Sequence, residues 1–279
     1  MRVIDSCAKC LYDRQCARSN DPAFLSDVRQ IIDHRGEDDT SPVLVYRFNQ
    51  AFQNRFGPVK SYAEIKRKYN DLVLSMENRI REQISASSDP LSTALAYARI
   101  GNYIDFGAMH HVDEKEFLSL FENVSMTDSD RRVYESFLSR LSAAHSFLLL
   151  ADNCGEIVLD KLFIEQLRLQ FPSIHVSVMV RGEEVLNDAT EEDAIYVGIN
   201  KVADIISNGL PIAGTVYDML PPAAKQAFDN ADVILSKGQG NYETLNGRGY
   251  HIFYAFLCKC DLFMSRFSVP MLTGMFVEE

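Results

Sequence analysis

The chain has 279 residues, 47% of them hydrophobic, which is enough material for one or two well-buried cores. It carries 28 basic against 39 acidic residues, a formal net charge of −11. This balance argues against a nucleic-acid partner, because it offers no basic surface for a phosphate backbone. A small phosphorylated ligand stays possible, since a bound divalent cation or one lysine reverses the potential inside a single pocket.

The expected location is the cytoplasm, without a membrane partner. The first residues, Met1 to Asp5, lack the apolar core of a signal peptide. No apolar run approaches the roughly 18 residues of a membrane-spanning helix. Six cysteines without a secretion signal fit a reducing compartment better than a disulfide framework. The sequence does not indicate the oligomeric state.

The first half of the chain has apolar residues at helical spacing from about Asp21 to Ala144. We predict a helical domain over residues 1–144, with a loop from Gly36 to Thr40. Helix starts are predicted where a short polar side chain precedes proline or an acidic first turn. These starts are Asp21-Pro22, Ser41-Pro42, Asp89-Pro90 and Thr127-Asp128.

The second half, residues 145–279, alternates short apolar runs with helical segments, which predicts an α/β domain with a mostly parallel sheet. Ligands bind such sheets at the carboxyl ends of the strands, so functional residues should directly follow the apolar runs. The predicted strands are Phe147–Ala151, Ile174–Val180, Asp204–Ser207, Val233–Ser236 and Ile252–Leu257, and Met271, Met275 and Phe276 are expected to pack as a last strand.

The first polar cluster follows the first predicted strand and contains Asp152 and Asn153, with Gly155 permitting a tight turn into a helix. Carboxylate and amide oxygens suit a hard cation such as Mg²⁺ or Mn²⁺. A second cluster, from Arg181 to Thr190, follows the next strand and supplies Asp188 as a second carboxylate. The alternative is purely local, since Asp152 and Asp188 are also suitable helix caps.

The third cluster runs from Ser236 to Glu243 and places Lys237 directly before Gly238, Gln239, Gly240 and Asn241. The backbone N–H groups of such a glycine-containing segment can bind a phosphate, and Lys237 adds a positive charge beside them. An ordinary flexible loop can have the same composition. The segment is neither a dinucleotide-binding fingerprint nor a P-loop. Together the three clusters supply carboxylates, a cation and glycines, which a phosphoryl-transfer site requires.

These motifs resemble the damage-control phosphatase family. The resemblance is carried by Asp152-Asn-Cys-Gly-Glu-Ile-Val-Leu-Asp160, by Arg181-Gly through Asn187-Asp-Ala-Thr190, and by Ser236-Lys-Gly-Gln-Gly-Asn241. Cys7-Ala-Lys-Cys10, Gly101-Asn-Tyr-Ile-Asp105-Phe-Gly107 and Lys259-Cys260 are similar to motifs of its cysteine-bearing, largely prokaryotic subfamily.

The resemblance implies a helical domain packed on a three-layer α/β/α, Rossmann-like domain. It implies a metal-dependent phosphatase that hydrolyses phosphate monoesters of small metabolites, including sugar phosphates and damaged phosphorylated metabolites. Asp152, Asn153 and Asp188 would hold a divalent metal (Mn²⁺, Co²⁺, Ni²⁺ or Mg²⁺), and Lys237 would contact the phosphate. The nucleophile, water or Asp152, stays open. Because the family has been linked to carboxyl methylation, an S-adenosylmethionine-binding methyltransferase is one alternative.

Other polar residues give weaker signals. Asn102 and Asp105 are expected to reach the site from the helical domain and bind substrate, although a helix-packing turn at Gly101 explains them equally well. Cys7 and Cys10 suggest a thiol-based redox or metal-binding protein as a second alternative, but no second C-x-x-C is present. His110 and His111 are not expected to bind one metal together, because the side chains of adjacent residues on a helix point about 100° apart. They are expected to lie on the surface or in a loop.

Overall fold

A computed structural model describes residues 1–104, 119, 121, 124 and 126–279 of the chain. Helices and strands alternate after residue 145, as the sequence predicts. In chain order the elements are α1 (Asp5–Arg18), α2 (Pro22–Asp33), α3 (Ser41–Phe56), α4 (Ala63–Ala86), α5 (Pro90–Gly101), α6 (Asp128–Ala143), β1 (Ser146–Leu150), α7 (Glu156–Gln170), β2 (His175–Val180), α8 (Glu191–Val197), β3 (Asp204–Ser207), α9 (Pro222–Asp229), β4 (Val233–Lys237), α10 (Gln239–Leu245), β5 (Phe253–Leu257), α11 (Asp261–Phe267) and β6 (Gly274–Glu278).

The sheet has six strands in the order β3-β2-β1-β4-β5-β6. Strands β1 to β5 are parallel and β6 pairs antiparallel with β5. The predicted α/β class with a mostly parallel sheet is therefore confirmed. The direction of chain progression reverses between β1 and β4, and in open α/β sheets the crevice outside the carboxyl ends at such a reversal is the usual ligand site.

Both faces of the sheet are covered, so β1, β2 and β5 consist mostly of apolar residues. Phe147 and Leu149 of β1 belong to one core, which also contains residues of α4 to α8. Leu148 and Leu150 point to the opposite face and join a second core with residues of α9, α10 and α11. Side chains alternate between the two faces of a strand, which explains why a continuous apolar run forms a central strand here.

The helices before the sheet pack in two groups. Helices α1 to α3 form a small core of their own around Phe24, Val28 and Phe48. Helices α4, α5 and α6 contribute Val73, Leu91 and Phe137, among others, to the same core as β1 and α7. The division into domains at residue 144 stays a prediction, and part of the helical segment shares its core with the sheet.

Three of the predicted helix starts are confirmed with their caps. The side chains of Asp21 and Asp89 accept hydrogen bonds from the backbone of Phe24 and Ser92, and Thr127 forms a capping box. Helix α3 begins at Ser41 as predicted, but the residue in the capping position is Thr40, whose side chain makes no capping bond.

Helix α1 departs from the prediction, which placed the first helix after Asp21. Only Ala8, Leu11 and Gln15 are buried along its 14 residues. A sparse apolar face is a weak periodic signal, and packing against α2 and α3 stabilises this helix instead. Among the described helices, none is long and apolar enough to cross a membrane.

Candidate active site at the carboxyl ends of the strands

The turn after β1 carries the first two candidate ligands. Asp152 and Asn153 follow Leu150 and Ala151, and α7 begins at Glu156 after Gly155. Gly155 has φ 81°, and a Cβ there would lie 2.7 Å from Ile104 Cδ1. The turn therefore requires glycine both for its left-handed backbone and for the close approach of the preceding helical segment.

The segment after β2 folds back onto this turn and brings Asp188 beside Asn153. The two residues form an isolated antiparallel bridge. Ala189 N donates to Asp152 O (2.7 Å) and Cys154 N donates to Asn187 O (2.8 Å). Backbone hydrogen bonds thus bring together Asp152, Asn153 and Asp188, which are all buried. Asp188 does not cap α8, because Thr190 and Asp193 form the capping box there.

A buried arginine connects the two carboxylates. Arg181, directly after β2, donates from Nε to Asp188 Oδ2 (2.7 Å) and from Nη2 to Asp152 Oδ1 (3.0 Å). Its side chain is 1% exposed. Burial in a medium of low dielectric constant strengthens such charge-assisted bonds. Arg181 had no predicted role, because its place directly after a strand does not indicate which carboxylates it pairs with.

The glycine after β4 packs directly against Asp152. A Cβ on Gly238 would lie 1.9 Å from Asp152 Oδ2, which is far inside van der Waals contact. This residue has φ 78° and ψ 158°, a conformation open essentially to glycine alone. The predicted close approach of the Gly-x-Gly segment is therefore an approach to the Asp152 carboxylate. The segment is not a free loop, because α10 begins at Gln239.

The rest of this segment makes protein contacts. Asn241 Oδ1 accepts from Arg181 Nη1 (3.1 Å) and from Thr215 Oγ1 (2.9 Å), which orients the arginine. Gln239 Oε1 accepts from Lys259 N (3.1 Å). A Cβ on Gly240 would lie 2.0 Å from Ala213 O, so the loop after β3 packs directly against Gly240.

Lys237 points away from the two aspartates. Its Nζ donates to Glu156 Oε1 (2.6 Å), to Asp160 Oδ1 (2.7 Å) and to Ala98 O (2.9 Å). These contacts engage all three protons of an ammonium group, and the side chain is fully buried. Direct contact between Lys237 and a phosphate stays a prediction, and it requires the ammonium to leave at least one of these acceptors.

Burial and neighbouring charges shift the pKa values of Lys237 and Asp160. Burial by itself would lower the pKa of Lys237, but the carboxylates of Asp160 and Glu156 outweigh it and hold the pKa above its ordinary value. Burial raises the pKa of Asp160 to about 7, against the attraction of Lys237. Asp160 Oδ2 is buried and accepts no hydrogen bond from the described residues, so its carboxylate is only half satisfied.

Asn102 caps the carboxyl end of α5 and is a further candidate. Asn102 is fully buried and donates from Nδ2 to Asp152 Oδ2 (3.0 Å) and to Glu156 Oε2 (3.1 Å). Its Oδ1 accepts from Leu257 N (3.1 Å). The structure therefore brings Asn102 into the site, as a neighbour of Asp152. Asp105, His110 and His111 lie outside the described residues.

Comparison with known proteins identifies the family. The model of the "Damage-control phosphatase ARMT1-like domain" matches residues 2–272. The chain belongs to the damage-control phosphatase family. It is 28% identical over 278 residues to the damage-control phosphatase of Archaeoglobus fulgidus, covering 94% of this chain and 93% of that protein. It is 28% identical over 212 residues to a damage-control phosphatase of Pyrococcus horikoshii, covering 75% of this chain and 71% of that protein.

The solved structure of this Pyrococcus horikoshii relative supports the fold. The crystal structure of a DUF89 family protein from Pyrococcus horikoshii aligns with a TM-score of 0.79 and 24% identity, over 100% of this chain and 99% of that chain. This alignment confirms the predicted fold class, and the family model that matches residues 2–272 confirms the predicted resemblance to damage-control phosphatases.

The donor set of this family member fits a hard divalent cation. Among the described residues no group of three His, Cys, Asp or Glu side chains is placed to hold a metal, and this site offers two carboxylates and one amide instead. Mg²⁺ and Mn²⁺ are commonly held by one or two carboxylates with water and substrate completing the shell. The guanidinium of Arg181 shows that a positive group is already stabilised between Asp152 and Asp188.

No cysteine is among the proposed metal ligands, although Cys154 Sγ lies 4.0 Å from the backbone oxygen of Asp188. Cys7 and Cys10 lie one turn apart on α1, where Cys7 is half-buried and Cys10 is exposed. Burial raises the pKa of the Cys7 thiol to about 11, which opposes formation of the thiolate that redox and metal chemistry require. Cys154 is buried beside Asn153, and burial raises the pKa of its thiol well above the ordinary value.

Proposed function

We propose that the protein is a metal-dependent phosphatase that hydrolyses phosphate monoesters of small metabolites, such as sugar phosphates or damaged phosphorylated metabolites. The observation that carries the proposal is the convergence of Asp152, Asn153 and Asp188 at the carboxyl ends of β1 and β2, beside the β1–β4 reversal. Membership of the damage-control phosphatase family supports the reaction type. Two archaeal relatives are named damage-control phosphatases.

Asp152, Asn153 and Asp188 would hold the divalent metal, with Mn²⁺, Co²⁺, Ni²⁺ and Mg²⁺ as the candidates. When bound, such an ion polarises a phosphoryl oxygen and offsets the charge that develops on it. The two carboxylates are already oriented, since each accepts a hydrogen bond from Arg181. Preorganised ligands lose less entropy on binding than mobile ones.

Arg181 is a positive group in direct contact with both aspartates of the proposed reaction centre. Its guanidinium contacts both aspartates and is held by Asn241, so its position is fixed before substrate arrives. A fixed cation in a site shielded from water stabilises developing phosphoryl charge more than a solvated cation does. We assign Arg181 this electrostatic role.

The segment Lys237–Asn241, together with Asn102, forms the proposed substrate side of the site. Gly238 and Asn102 both touch the Asp152 carboxylate, which supports their place in the proposed site. Lys237 adds a buried positive charge one residue from Gly238. Asp105 stays a candidate for substrate binding.

Phosphate release from p-nitrophenyl phosphate and from sugar phosphates, with Mn²⁺, Co²⁺ or Ni²⁺ added, tests the proposal. We expect activity that EDTA abolishes, and a loss of at least about 100-fold in Asp152→Ala and in Asp188→Ala. The matched control is Asp204→Ala, because the Asp204 side chain is 71% exposed at the amino end of β3. Full activity of a metal-replete Asp152→Ala or Asp188→Ala variant would show that the site is elsewhere.

The two alternatives predict other results. An S-adenosylmethionine-binding methyltransferase would be stabilised against heat by that ligand, and the family comparison favours the phosphatase over it. A thiol-based protein would lose its activity in Cys7→Ser or Cys10→Ser. We expect both cysteine variants to keep phosphatase activity.

A further inference from the structure

Glu156, the first residue of α7, is fully buried and has both carboxylate oxygens occupied. Oε2 accepts from Asn153 Nδ2 (3.1 Å), from Asn153 N (3.3 Å) and from Asn102 Nδ2 (3.1 Å). Oε1 accepts from Lys237 Nζ (2.6 Å). One carboxylate thus joins the buried lysine to the amide of a proposed metal ligand.

The Asn153 amide has an oxygen that accepts hydrogen bonds and an NH₂ group that donates them, and only the oxygen binds a cation. Its Nδ2 donates to Asp152 Oδ2 (2.8 Å) as well as to Glu156 Oε2. Turning the amide by 180° would place Oδ1 against these two carboxylate oxygens, which repel it. The two acceptors therefore fix which end of the amide faces away from Glu156.

We propose that Glu156 is a positioning residue for the metal site, which orients the Asn153 amide so that its oxygen is presented to the cation. This inference rests on the proposed function, because it concerns the same metal. Lys237 and Asp160 complete the arrangement, since the ammonium balances the buried charge of Glu156 and is anchored on its other side by Asp160.

Glutamine is the informative substitution at this position. A glutamine has one acceptor oxygen, so it satisfies either the Lys237 ammonium or the two asparagine amides. If the glutamine oxygen faces Lys237, its NH₂ group faces the asparagine amides, and if the oxygen faces the amides, the NH₂ group faces Lys237. In both cases a donor is placed against another donor. We expect Glu156→Gln to weaken Mn²⁺ binding by about 10- to 100-fold, as loss of a group supporting a metal ligand commonly does. Isothermal titration calorimetry with Mn²⁺ alone measures this change.

The matched control is Glu165→Gln, the same chemical change on the same helix. Glu165 pairs with Arg81 (2.9 Å) and touches none of the proposed ligands. We expect its Mn²⁺ dissociation constant to equal that of the unsubstituted protein. A loss of the same size in both variants would overturn the proposal, because it would reflect general destabilisation of α7.

An Asn153→Asp background separates orientation from support of the fold. An aspartate has two equivalent oxygens, so either of them can face the cation without being oriented. Its carboxylate is repelled by Glu156, whereas it accepts a hydrogen bond from a glutamine at position 156. In that background we expect Glu156→Gln to leave Mn²⁺ binding unchanged or to tighten it. An equal weakening in both backgrounds would contradict an orienting role, since a merely structural loss does not depend on the amide.

A measurement on the unsubstituted protein covers the case in which Glu156→Gln does not fold. The side-chain amide protons of Asn153, assigned by their disappearance in Asn153→Asp, are expected to exchange slowly with solvent, with and without Mg²⁺. Fast exchange, as for an exposed asparagine, would overturn the proposal. So would Mn²⁺ binding that persists undiminished in Glu156→Gln.

The failure of the proposed function has a different signature. If the unsubstituted protein shows no Mn²⁺ binding that Asp188→Asn removes, then the metal site itself is wrong and the role of Glu156 falls with it. If such binding exists and Glu156→Gln retains it fully, only the positioning role fails.

Discussion

Replacing Gly238 with alanine tests the contact between the β4 end and Asp152. The added Cβ would lie 1.9 Å from Asp152 Oδ2 and 2.3 Å from its Cγ, whereas real Cβ contacts essentially never fall below 3.0 Å. The carboxylate must therefore retreat by about 1.1 Å or more, the difference between 3.0 and 1.9 Å. Asp152 cannot retreat without lengthening its bonds from Arg181, Asn102 and Asn153.

The expected cost has two parts. A non-glycine residue in this backbone conformation costs about 1–3 kcal/mol. Displacing Asp152, a proposed metal ligand, by about 1 Å is expected to lower kcat/KM by about 100-fold. The first part appears in the free energy of unfolding, measured by urea denaturation. The second appears in metal-dependent phosphate release.

Gly57→Ala is the matched control. Gly57 has φ 86° and ψ −171°, close to the conformation of Gly238, and a Cβ there would meet nothing within 4 Å. We expect Gly57→Ala to lose a similar free energy of unfolding while keeping its activity. If Gly238→Ala keeps full activity and resembles Gly57→Ala in both assays, then Gly238 is not required to keep the Asp152 carboxylate in its position, and the reasoning is refuted.

Two further predictions concern the buried charges. Lys237→Met leaves Glu156 and Asp160 buried without their counter-ion, so we expect the free energy of unfolding to fall by about 3–5 kcal/mol; a loss below about 1 kcal/mol in urea denaturation would refute this. The pKa of Asp160 is raised from 3.8 to about 7 by burial, so its protonated form stabilises the fold below pH about 4, and this contribution is lost progressively as the pH rises towards 7. Asp160→Asn lacks this titration, and its stability relative to the unsubstituted protein should therefore rise between pH 5 and 7 and level off above pH 7. A constant difference across that range would contradict the assignment.

Much of the sheet was predictable because its strands are short apolar runs bounded by polar turns. The structure places β3 at the predicted residues Asp204–Ser207, and β1 and β4 within one residue of prediction. The last strand contains Met275 and Phe276 as expected, while Met271 lies before it and is exposed. These agreements follow from local pattern and burial, which a sequence records directly.

The convergence of Asp152, Asn153 and Asp188 was also predictable, since each follows a parallel strand and the carboxyl ends of such strands meet at one edge. The partners of these residues were not. Arg181 and Lys237 both follow or end strands, and no local pattern indicates that Arg181 holds the aspartates while Lys237 turns to Glu156 and Asp160.

The sequence by itself determined the class of fold, the edge of the sheet at which the candidate site lies, and three oxygen-bearing side chains suited to a cation. Only the tertiary structure decided the pairing of charges. Buried Lys237 and buried Arg181 each need a carboxylate, and the described residues around them offer four, namely Asp152, Glu156, Asp160 and Asp188. Which cation meets which carboxylate depends on side-chain directions and on distances of a few ångströms, set by the packing of α5 and α7 against the sheet.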